Sequence, residues 1–107
     1  MVARNEIYWG DLGEPGGRRP VVVLTRDAAA SVLTAVVCAP ITRTKRGIRS
    51  EVEIGTEEGL PQRSVVSCDN ILTVPITRLD ADPVGRLGIV KRAQLDQALR
   101  YSLDIAY

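Results

Sequence analysis

Apolar positions come in short alternating or continuous blocks over most of the chain, then change period near its end. Residues 6–12, EIYWGDL, alternate and predict a first strand. GEPGGRR is rich in turn formers and predicts a loop. PVVVLT, residues 20–25, is apolar at successive positions and predicts a strand packed on both faces. RDAAASVL has room for one helical turn, with Asp27 near its start. Residues 34–42, TAVVCAPIT, predict a long strand whose pairing weakens on one side at Pro40, which has no N–H to give a ladder. EVEI alternates, with Val52 and Ile54 inward and the glutamates outward. Residues 64–74, SVVSCDNILTV, predict a strand bent near Cys68–Asn70. ITRL predicts a further short strand, and DADPVGR a turn.

The period then lengthens. Leu95, Ala98, Leu99, Ser102, Leu103 and Ala106 recur at helical spacing, while Lys91, Arg92, Asp96 and Arg100 fall mostly on the other side. Residues 90–107 are therefore expected to form one amphipathic helix on the sheet. The fold class is mainly β with a C-terminal α-helix: a small, strongly curved sheet or barrel.

Composition adds constraints to this outline. With 107 residues, 45% hydrophobic and 25% charged, the chain fits a single domain, 1–107. Aromatics are only 4% and Phe is absent, so the core must be built from Val, Leu, Ile and Ala. Cys38 and Cys68 fall in apolar blocks and are expected as buried, reduced thiols. No apolar run approaches a membrane span, and MVARNEIYWG is too short and polar for a secretory signal, so a cytoplasmic location is expected. Histidine is absent, which removes the commonest metal ligand and the commonest general base at neutral pH. No metal or cofactor is expected.

The net charge of +1 hides a local asymmetry. RTKRGIR carries Arg43, Lys45, Arg46 and Arg49, and EVEIGTEEG follows with Glu51, Glu53, Glu57 and Glu58. Two readings stand: a solvated hairpin with cross-strand charge pairs, or a basic patch for phosphates. Arg19 precedes Pro20, so its backbone is pushed into the extended region and its exit direction is fixed. Its guanidinium fork suits phosphate oxygens. Gly16 and Gly17 let the preceding loop come close to a ligand. If the strands holding residues 20–25 and 34–42 are antiparallel neighbours, Thr42 lies beside Arg19. Glu14 is the nearest carboxylate in sequence. Asp69 and Asn70 interrupt an apolar run and are further contact candidates. Tyr8 and Trp9 point to opposite faces of their strand: one core, the other a stacking or interface surface. Each of these residues also has an ordinary structural reading, as a strand-end or loop residue held in solvent.

The order of EIYWGDLG, GGRRPVVVLT, APIT and SVVSCDNILTV resembles the MazF/PemK family of toxin endoribonucleases over nearly the whole chain. The resemblance implies an SH3-like small β-barrel of the MazF/CcdB-like toxin type, working as a homodimer. It implies metal-independent cleavage of single-stranded RNA at short sequences, and an antitoxin whose disordered tail covers the RNA groove. It puts the catalytic pair on Arg19 and Thr42 and a loop glutamate on Glu14. From the residues themselves, Gly17, Arg18, Arg43, Lys45, Arg46, Asp69 and Asn70 are the expected RNA contacts. Two departures touch the RNA-facing surface. The first loop is short and contains Pro15, and RTKR follows Thr42 where many members have serines.

The chemistry so implied is attack of the RNA 2′-OH on the adjacent phosphate, giving 2′,3′-cyclic phosphate and 5′-OH ends. A fixed guanidinium suits the developing phosphorane charge. It holds its protons above about pH 12 and suits the base role poorly. Two other readings of the same barrel remain: a gyrase-poisoning toxin, and a catalytically inactive SH3-like binding protein.

Overall fold

A computed structural model describes residues 2–106. Its strands are β1 (Glu6–Asp11), β2 (Arg18–Val23), β3 (Ala35–Thr42), β4 (Glu51–Ile54), β5 (Ser64–Ser67), β6 (Leu72–Pro75) and β7 (Gly85–Arg86). A single helical turn, α1 (Asp27–Ala30), links β2 to β3, and α2 (Ile89–Ser102) closes the chain. All strand pairings are antiparallel, in the order β4-β5-β3-β2-β1-β7, with β6 also on β3.

β3 is long enough to carry β2 on one edge and two successive partners on the other. β6 pairs with its residues Ala35 to Cys38, and β5 with Ile41 and Thr42. The interval without pairing on that edge coincides with Pro40, as its missing N–H predicts. The register shifts by three residues between β5 and β6, the length of the 3₁₀ turn Cys68–Asn70. That turn is the bend expected in residues 64–74.

Two apolar clusters share the sheet. Ile7, Val22, Ala39, Ile41, Val66, Leu87, Leu95 and Ala98 form the larger one, inside the curved sheet and under α2. Tyr8, Val21, Val23, Val36, Cys38 and Val74 pack on the opposite face. Val22 thus faces one core while Val21 and Val23 face the other, which is why PVVV shows no polar alternation. Each such buried aliphatic contributes about 1.5–3 kcal/mol relative to exposure. Cys38 and Cys68 are buried and free, and burial pushes both thiols up to about 12.

The structure corrects four details. Arg18 and Arg19 belong to β2 and not to the preceding loop, paired with Asp11 and Gly10 of β1. Ile76–Arg78 is a 3₁₀ turn where a strand was expected, because Leu79 N–H bonds Ile76 C=O at 3.0 Å and only Leu79 bridges Gly10. β7 was read as turn, and two residues are too few to show a period. The helix ends at Ser102, so Leu103 and Ala106 lie beyond it and are exposed. Tyr107 lies outside the described residues.

Candidate active site

The register that packs the core also builds a cleft. β2 and β3 pair Val21 with Pro40. Continued two places, this register sets Arg19 opposite Thr42. Both line a cleft of about 450 Å³ together with Trp9, Arg18, Arg43, Thr44 and Gln62. That volume falls within the roughly 300–1,000 Å³ common for small-ligand sites.

Arg19 is half-buried, and its Nε is buried with no hydrogen-bond partner among the described residues. An unmatched buried N–H is costly, by about 1–3 kcal/mol, and such groups are usually satisfied. A donor kept in this state at a cleft wall is placed for an acceptor brought by a ligand. Thr42 complements it. Its Oγ1 accepts the Thr44 backbone N–H at 3.2 Å, which leaves its hydroxyl proton free to donate.

Arg18, next in sequence, has a different setting. Its Nη1 and Nη2 donate to the two oxygens of Asp80 at 3.0 and 2.5 Å, and its guanidinium lies 5.8 Å from the Trp9 ring centre. The Arg18 hydrogen bonds hold the Asp80 carboxyl below the usual carboxylate range, and Asp80 in turn raises Arg18. Arg18 is therefore a neutralised cation. Trp9 lines the cleft while Tyr8 is core, its hydroxyl donating to Glu6 and pushed up to about 12, chiefly by burial.

The other sequence candidates divide. Arg43 lines the cleft. Lys45 is paired with Glu53 at 3.0 Å, and the Arg46 and Gly47 backbone N–H groups donate to Glu51. The charge-paired hairpin reading thus fits Lys45, while the Arg49 guanidinium lies over the Tyr101 ring at 4.4 Å. Asp69 accepts Ser50 Oγ at 2.6 Å and Ser102 Oγ at 2.8 Å, and Asn70 donates to Ser67. Asp69 thus serves the seat of α2, Asn70 closes its own turn onto Ser67, and neither lines the cleft. Glu14 is exposed and is also absent from the cleft lining. Gly17 shapes the loop, at φ 66°, its N–H bonding Gly13 C=O and its C=O accepting Leu12 N–H.

Sequence reasoning missed the opposite wall, Leu60, Pro61, Gln62 and Ser64. Nothing in LPQRS marks it. It reaches the cleft because β5 starts beside Thr42. Asp80 was missed too, inside a segment read only as a turn. Among the cleft residues there are three arginines and no carboxylate.

A family model described as a PemK-like, MazF-like toxin of type II toxin–antitoxin systems matches residues 3–103. The chain is 40% identical over 106 residues to the probable endoribonuclease MazF5 of Mycobacterium tuberculosis, covering 97% of this chain and 94% of that one. It is 41% identical over 87 residues to the M. tuberculosis endoribonuclease MazF3, covering 81% and 84%. Among solved structures it superimposes on M. tuberculosis toxin MazF-mt6 with a TM-score of 0.88 at 37% identity, over 95% of this chain and 99% of that one. It also superimposes on a mycobacterial endoribonuclease in complex with its cognate antitoxin, with a TM-score of 0.89 at 26% identity, over 100% and 99%. The fold, the matched span and these relatives place the chain in the PemK/MazF-like toxin family of type II toxin–antitoxin systems.

Proposed function

We propose that this toxin is an endoribonuclease that cuts single-stranded RNA without a metal ion, using the Arg19–Thr42 cleft. The observation that carries the reading is the buried, unpartnered Nε of Arg19 beside a threonine whose hydroxyl proton is free. The RNA 2′-OH attacks the adjacent phosphorus, the P–O5′ bond breaks, and the ends are a 2′,3′-cyclic phosphate and a 5′-OH. Arg19 takes the non-bridging oxygens as their charge grows, Thr42 hydrogen-bonds the phosphate or the leaving oxygen, and the departing 5′ oxygen takes a proton from water. Donors fixed before the reaction act on developing charge without reorganising, at roughly 3–4 kcal/mol for one donor.

A cleft holding arginines and no carboxylate favours charge stabilisation over base catalysis by this protomer's own residues. The 2′-OH proton then passes to water, and Glu14, outside the lining, acts at most on RNA approaching over the loop. Arg43 is the phosphate contact flanking the catalytic pair, and Lys45, offset by Glu53, contributes less. The working form is a homodimer, and its partner is an antitoxin that covers the cleft, as the antitoxin-bound mycobacterial relative supports.

The test is to incubate the purified chain with mixed-sequence single-stranded RNA in EDTA and map the ends. Cyclic-phosphate ends, lost in Arg19→Ala, are expected. Intact RNA across a broad sequence pool would overturn the reading and favour a non-nuclease toxin of the same fold.

A further inference from the structure

The two adjacent arginines have different partners, and the difference points to two ligand groups. Arg19 is unmatched. Arg18 is locked, both terminal nitrogens on Asp80 and its plane near Trp9. The register explains the geometry. Trp9 pairs with Pro20 across β1 and β2, so Arg18, two places along the same face, is its diagonal neighbour. Asp80 is tied to the same strand, its N–H bonding Trp9 C=O at 2.8 Å. One carboxylate-bearing residue thus fixes both the indole's strand and the guanidinium.

This ion pair is not explained by stability. Its side chains are 56% and 44% exposed, and exposed pairs contribute little. Nor does it suit a phosphate, because the Asp80 carboxylate cancels the charge that would attract one. What it provides is a guanidinium held over the indole ring, 5.8 Å from its centre, with both side chains lining the cleft that holds Arg19 and Thr42. A neutral, planar ligand group fits there. In RNA that group is the base.

Resting on the ribonuclease reading, we propose that Trp9 and the Asp80-held guanidinium of Arg18 form a nucleobase-stacking wall beside the scissile phosphate, with Asp80 acting as a positioning residue through Arg18. Stacking on an aromatic face tolerates any base, so the wall aligns the strand and leaves sequence choice to other groups.

Trp9 is the sole tryptophan, so its emission reports the wall directly. The probes are short 2′-O-methyl oligoribonucleotides covering all trinucleotides, which bind without being cut, and copies with single abasic positions. Saturable quenching of Trp9 is expected. One abasic position should abolish it and weaken binding about 10-fold, as Trp9→Ala should. With cleavable RNA, Asp80→Asn should raise KM about 3- to 10-fold with the loss falling on KM rather than kcat, and Arg18→Lys should not substitute for arginine. Arg18→Ala should leave the salt dependence of binding unchanged. A fall of about 0.7 in its log–log slope would make Arg18 a phosphate contact and overturn the wall. RNA that is bound and cut while Trp9 emission stays constant would overturn the wall alone. Quenching without any cleavage would support the wall and overturn the ribonuclease reading. Neither binding nor cleavage would overturn both.

Discussion

At the scale of single residues, Arg19 and Arg18 show how one dipeptide divides its work. Sequence reasoning separated them by Pro20, which fixes the backbone of Arg19. Their chemical difference comes from Asp80, 62 positions from Arg18 in sequence and invisible as a partner before folding. Arg19→Ala is expected to lower kcat by about 10²–10³, and Arg19→Lys to remain at least about 10-fold down, because an ammonium lacks the planar fork. Thermal unfolding should find Arg19→Ala at least as stable as wild type, since the substitution removes a desolvated donor with no partner. A marked loss of stability would mean that Nε is satisfied in the folded chain. Thr42→Ser should keep most of the activity and Thr42→Val should lose it, because only the hydroxyl can donate into the cleft.

At the scale of elements, the strands were legible because each faces a core at period two, or on both sides. The remainder was not, for particular reasons. β7 is two residues paired with β1, too short to show a period. The C-terminal helix stops one residue after Tyr101 although the apolar period continues. Ile105 N–H reaches Arg100 C=O and Asp104 N–H reaches Tyr101 C=O, with Asp104 at φ 56°. That is a Schellman stop, with aspartate where glycine is usual. Asp104→Gly should raise stability by about 0.5–1 kcal/mol in urea unfolding. The loop forming the far cleft wall is anchored where Gly59 and Gly85 pass in backbone contact. A Cβ on Gly85 would overlap the Glu58 carbonyl oxygen. Gly85→Ala should cost about 3 kcal/mol and impair cleavage through displacement of the Gln62 wall.

The seat of α2 carries a pH dependence. Hydrogen bonds from Ser50 and Ser102 hold the Asp69 carboxyl below its usual range, and Lys45 does the same for Glu53. Carboxyls depressed in the folded chain stabilise it above their unfolded values, and that stabilisation is lost as pH falls through the folded ones. Unfolding followed by circular dichroism should therefore show stability declining below about pH 4. Asp69→Asn should reduce the decline. Ser50 is 1% exposed, and Ser50→Ala should cost about 1 kcal/mol.

At the scale of the whole molecule, a net charge of +1 gives little long-range attraction for RNA. Affinity must come from where the charges sit. Arg19 and Arg43 face the cleft, while Lys45 is offset by Glu53. Arg43→Ala should reduce the log–log salt slope of RNA binding by about 0.7, and Lys45→Ala by clearly less. Equal effects would restore the basic turn as one continuous phosphate track. The family was legible in the sequence because its matched blocks are strands whose order the fold preserves. The cleft's far wall and the Asp80 clamp were not, since both are made by contacts between distant segments.

The most direct test uses one RNA that the toxin cuts, made again with a single 2′-deoxy or 2′-O-methyl nucleotide on the 5′ side of the cut, and identifies the fragments by mass. Cleavage through the Arg19–Thr42 cleft by internal attack predicts cyclic-phosphate and 5′-OH ends from the unmodified RNA, bound but uncut modified RNA, and no cut by Arg19→Ala. Cleavage of the modified RNA, or ends carrying a 5′-phosphate, would contradict it.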